Sequence, residues 1–141
     1  MPEDDAMPVA EENAPESEAW QEPVTLPFNV HVLIDRLMAK KDVILHILEA
    51  VEQRLSANLG EVRTGLERGE NDRVHVGLHA IKGSAGTLAA DVLLLISRKM
   101  EESARGGDIL AVERRMPQLQ REIQRCLDFI PRARNLINAL I

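Results

Sequence analysis

His79, Lys82 and Gly83 open the run His-Ala-Ile-Lys-Gly-Ser-Ala-Gly-Thr-Leu-Ala-Ala over residues 79–90, and their types and spacing could do chemistry. Residues three and four apart are neighbours on a helix, so the imidazole, the ammonium and the bare glycine position share one face, with Gly86 a turn further on. Glycine inside a helix costs about 1 kcal/mol relative to alanine, and this helix would bear that cost twice beside a histidine. A helical side chain leans toward the N-terminus and covers the turn before its own Cα. A side chain at 83 would therefore lie over His79, and glycine leaves the ring open to a partner. A neutral imidazole so exposed is a nucleophile suited to accepting a phosphoryl group. The nearby ammonium of Lys82 disfavours protonation of the ring and can pair with the dianion that results.

The surrounding residues have plainer readings. Gly83 and Gly86 could mark close helix–helix approach, Gly86 the better candidate, and Ser84 reads as a polar surface position. His75 lies one turn before His79, and His-x-x-x-His is a metal-ligand spacing. No Cys, Asp or Glu on the same face completes such a site, so no metal is expected. His31 and His46 have no motif around them.

The elements that must position these groups are helical. Val74, Leu78, Ile81, Ala85 and Leu88 recur in steps of four and three, forming one apolar stripe on the His79 helix, which begins at Asn71 or Asp72. Before it, Asn29 can cap a short helix over 30–38. Asp42 is expected to cap a long helix to about 68, whose stripe from Ile44 to Leu66 keeps the helical period for more than six turns, with Gly69 closing it. After it, a helix over 91–104 turns Leu93, Ile96 and Met100 inward, while Leu94 and Leu95 leave extra apolar surface. Gly106 and Gly107 make a turn, and Asp108 caps a last helix that Pro117 and Pro131 should kink or interrupt. The expected fold is all-α: an antiparallel four-helix bundle with the short N-terminal helix packed across one end.

Composition agrees. Aromatic residues are only Trp20, Phe28 and Phe129, so the core must be aliphatic. The single Cys126 allows no intrachain disulfide, which fits a reducing, cytoplasmic setting. No apolar run approaches membrane-spanning length, and the acidic N-terminus is unlike a signal peptide. Residues 1–27 hold eight acidic residues, no basic ones and five prolines, and read as a disordered linker or tail, with Trp20 incidental or docked on the domain. Without them, seventeen basic and fifteen acidic residues remain, so the net charge of −6 becomes about +2 for residues 28–141. No basic cluster points to nucleic acid.

The motif resembles the histidine-containing phosphotransfer (HPt) domains of bacterial multistep phosphorelays. Their signature is His-x-x-Lys-Gly, four variable residues, then an aliphatic residue, Gly and Ala; His79, Lys82, Gly83, Leu88 and Ala90 match. Further on, Leu93, Met100-Glu101 and Arg105-Gly106-Gly107-Asp108 stand where the family carries a Leu, a Leu-Glu pair and an Arg-x-Gly-Asp turn. Ala89 replaces the usual Gly, leaving the helix end open, and Leu78 replaces a common Ala.

The resemblance implies a histidine phosphocarrier. His79 would take a phosphoryl group from the aspartate of one receiver domain and pass it to another, with Lys82 stabilising the phosphate and Gly83 giving access to the ring. The partners implied are response-regulator receivers and a hybrid histidine kinase, and Mg²⁺ is expected on the receiver, with no cofactor of this chain's own. A monomer is expected, acting as a stoichiometric intermediate more than as an enzyme. A chemotaxis-kinase phosphotransfer domain labelled by an ATP-binding domain, or a helical adaptor without phosphotransfer, are the alternatives.

Overall fold

The structure, a computed structural model, describes residues 26–141. The expected disordered segment therefore lies almost wholly outside the described residues, as does Trp20. Five helices follow: α1 (Val30–Arg36), α2 (Lys41–Arg68), α3 (Asn71–Leu88), α4 (Asp91–Arg105) and α5 (Ile109–Leu140), with no strand among the described residues. Contacts run round the bundle in chain order, α2 on α3, α3 on α4, α4 on α5, and α5 back onto α2. Short turns make sequential neighbours antiparallel. The small helix α1 touches α5 and α2, and Arg36 donates from its guanidinium to the Gly86 carbonyl at 2.9 Å. The expected bundle, with its crossing N-terminal helix, is the fold observed.

The apolar stripes form one continuous core. Ile44, Leu48, Val51, Leu55 and Val62 of α2 meet Val74, Leu78, Ile81, Ala85 and Leu88 of α3, all buried. Phe28 and Phe129 meet edge to face with centroids 5.0 Å apart, tying the chain just before α1 to α5. Leu94 packs against the core, whereas Leu95 remains half-exposed.

Several helix ends differ from expectation. Asp42 does not cap α2; Lys40 occupies the cap without a side-chain bond, and Asp42 sits inside the first turn, where its charge suits the positive helix end. The first helix stops at Arg36, because Met38 and Ala39 turn left-handed. Asn29 and Asp108 do cap, accepting from the Val32 and Ala111 amides. Gly69 closes α2 at φ 69°. Helix α5 runs through both prolines without interruption. Pro117 and Pro131 are on the solvent face, so the carbonyls they leave without a donor, Glu113 and Leu127, can turn to water.

Close approach of α2 and α3 depends on Gly65 and Gly77, not on Gly83 or Gly86. A Cβ on Gly77 would sit 2.7 Å from Val62 Cγ2, and one on Gly65 would sit 2.8 Å from Val74 Cγ2. Each helix thus supplies a glycine to receive the other's valine. Cβ atoms on Gly83 and Gly86 would meet nothing within 4 Å.

Candidate functional site

Helix α3 carries His79 on the bundle surface with 67% of its side chain exposed, while α4 brings Glu101 beneath it with only 2% exposed. His79 Nδ1 lies 2.8 Å from Glu101 Oε2. An ionised carboxylate only accepts, so Nδ1 carries the proton and donates. The tautomer is thereby fixed: Nε2 keeps the lone pair and faces outward, away from the carboxylate.

Glu101 is the centre of a small charged cluster. Lys82 Nζ is 2.6 Å from Oε1, and Arg105, one turn along α4, reaches Oε2 at 3.3 Å. Burial by itself would raise the Glu101 carboxyl, yet hydrogen bonds and charge from Lys82 and His79 hold it below the usual carboxylate range. His75 joins from one turn before His79: its ring stacks on that of His79 at 6.4 Å, and its Nε2 lies 3.3 Å from Glu101 Oε2. That approach falls short of a hydrogen bond in direction, and Nε2 is buried without any other partner among the described residues.

The structure thus brings His79 and Lys82 together through a residue to which sequence reasoning gave no chemical role. Met100-Glu101 was legible only as part of a pattern. The usable signal was Glu101 and Arg105 at i and i+4 on a helix that turns Met100 inward, which places a carboxylate near the buried face. Lys82 does not stand free beside the ring; it is paired with Glu101. Ser84 is buried, contrary to its reading as a surface position. It lines a cleft of about 540 Å³ with Arg54, Asn58, Ala80, Gly83 and Thr87, between α2 and α3, so the space over Gly83 is open. His31 and His46 are exposed. Among the described residues, no three His, Cys, Asp or Glu side chains are grouped to hold a metal ion, and no helix is long and apolar enough to cross a membrane.

An exposed imidazole with a fixed Nδ1–H, a buried carboxylate behind it and an ammonium within reach can accept and hold a phosphoryl group on Nε2. On a four-helix bundle, this defines a phosphotransfer module. The family model for the Hpt domain matches residues 46–129, and the chain belongs to that family. Among solved structures, the chain is similar to histidine-containing phosphotransfer protein B of Pseudomonas aeruginosa, with 20% identity and a TM-score of 0.71 over 77% of this chain and 95% of that one. That likeness concerns the fold. No curated protein matches the chain significantly.

Proposed function

We propose that this chain is a histidine phosphocarrier of a two-component phosphorelay, with His79 Nε2 as the acceptor, Lys82 as phosphate partner and Gly83 as the opening to the ring. The phosphoryl donor is an acyl phosphate on a receiver aspartate. The Nε2 lone pair attacks phosphorus, the N–P bond forms, the P–O bond to the aspartate breaks, and the carboxylate leaves. The ring keeps its Nδ1 proton and becomes positive as the bond forms, and Glu101 lies 2.8 Å away to stabilise that charge. Transfer to a second receiver runs the same steps in reverse. The receivers would supply Mg²⁺ and most of the stabilisation of the transferring group. The Hpt family and the Pseudomonas protein's designation as a phosphotransfer protein support receiver domains and a hybrid kinase as partners.

The observation that carries this reading is the His79–Glu101 hydrogen bond beneath an open ring. Incubation with phosphorylated receiver domains tests it. His79→Gln is expected to lose all acid-labile phosphate while keeping its helicity. If His75→Gln loses the phosphate and His79→Gln keeps it, the acceptor is the other histidine.

A further inference from the structure

His75 has no part in the transfer described above, yet its Nε2 is buried, lacks a hydrogen bond and lies 3.3 Å from the carboxylate oxygen that accepts from His79. Beside a carboxylate oxygen, a proton on this nitrogen is more favourable than a bare lone pair, although the contact is not aligned as a hydrogen bond. The side chain is still 37% exposed, which leaves the Nδ1 edge of the ring to solvent. The charged and titratable groups gathered with it around Glu101 are His79 and Lys82 from α3 and Arg105 from α4. Helices α2 and α5 contribute no ion pair to this cluster among the described residues.

Among the described residues, Glu101 Oε1 is held by Lys82 alone, at 2.6 Å, through a flexible side chain three residues from His79. A phosphoryl group on His79 Nε2 is a dianion within reach of that ammonium and competes for it. Each positive charge that moves away from Glu101 makes a proton on its remaining neighbours more favourable.

Resting on the phosphocarrier reading, we propose that His75 is a positioning residue that takes over Glu101 when His79 is phosphorylated. Lys82 moves from Glu101 to the phosphoryl group. His75 then takes a proton from solvent at Nδ1, becoming an imidazolium, and turns so that its 3.3 Å approach to Oε2 aligns as a hydrogen bond from Nε2–H. Glu101 stays ionised, with the imidazolium replacing the cation it has lost, and keeps its hold on His79 Nδ1–H. Phosphoryl group and proton then bind cooperatively, so by reciprocity a fall in pH favours phosphate on His79 and a rise favours its departure.

The test follows the imidazole resonances of His75 by NMR across a pH titration, before and after phosphorylation with phosphoramidate, a small-molecule donor. The expected result is a His75 midpoint that moves to higher pH on phosphorylation. Glu101→Gln should remove the shift, because the acceptor is gone. In Lys82→Gln the midpoint should already be high without phosphate, and the further shift should be small. This second variant decides the matter if Glu101→Gln does not fold. A midpoint that does not move on phosphorylation overturns the proposal. So does an equal shift in Glu101→Gln, which would be a simple field effect, or a full-sized shift in Lys82→Gln. If phosphoramidate leaves His79 unlabelled, a phosphorylated receiver domain serves as the donor, and a failure to label with that donor means the phosphocarrier reading itself has failed.

Discussion

Gly77 and Gly83 lie six residues apart on α3 and have opposite surroundings. At Gly77 the missing side chain is filled by Val62 of α2, with the Asn58 carbonyl and the Val62 amide each 3.3 Å from where a Cβ would stand. At Gly83 the space is empty and opens on the cleft between α2 and α3. One glycine brings two helices together; the other costs the helix some stability and leaves open space. Sequence spacing favoured the second kind of role at Gly83 and the first at Gly86, yet the helix contact is at Gly77 and its counterpart Gly65. Glycine spacing cannot separate these roles, because both need the absence of a Cβ and differ only in what the rest of the chain places there.

The largest effect should come from filling the seam. Gly77→Ala pushes against a β-branched side chain and backbone, neither of which can yield easily, and should destabilise the domain by about 1–3 kcal/mol in a urea melt. A neutral result would mean that the seam is loose, and the contrast with Gly83 would disappear. Next, Gly83→Ala should stabilise by up to about 1 kcal/mol, since it restores helix propensity in free space. An alanine Cβ there meets nothing within 4 Å, the His79 ring included, so the methyl should slow phosphoryl acceptance only through a partner's approach. Gly83→Leu, which leans back over the ring, should nearly abolish acceptance in a transfer time course while the fold persists. Normal transfer by the leucine variant would remove the access role from Gly83.

A third position sharpens the point from the opposite direction. Ala89 ends α3 at φ 56°, in the left-handed region where a Cβ is unfavourable. Here a glycine is missing where the backbone would favour one. Ala89→Gly should raise stability by about 1 kcal/mol and leave acceptance unchanged, as judged by paired melts and labelling. If it does not, Arg36 bound at the Gly86 carbonyl already offsets the strain.

The smallest expected effect is on the acid side of the stability profile. Glu101 is held below its ordinary value of 4.5 in the folded protein, so the native state binds fewer protons than the unfolded chain as acid is added. Its contribution is fully present above about 4.5 and is lost as the pH falls through the lower folded-state value. Melts of the parent and of Glu101→Gln should therefore converge below 4.5. Curves that stay parallel would mean that Glu101 contributes through packing or neutral hydrogen bonds rather than through its charge.

Much of this protein can be read along the chain because its helices are local objects. The stripes from Ile44 to Leu66 and from Val74 to Leu88, the cap at Asp108 and the left-handed stop at Gly69 depend on residues within a turn or two, and the structure has them where the pattern puts them. The His79, Lys82 and Gly83 face is equally local, since helix geometry alone makes them neighbours. The continuity of α5 through its prolines was less legible, because it depends on which side of the bundle they face. Tertiary structure alone decided the charge network. Glu101 is twenty-two residues from His79 in sequence, and only the packing of α4 on α3 sets its carboxylate under the ring. The same packing pairs Lys82 with Glu101 and buries His75 Nε2 beside it. Periodicity tells which residues turn inward; which of them meet, and at what distance, is fixed by how one helix lies against another.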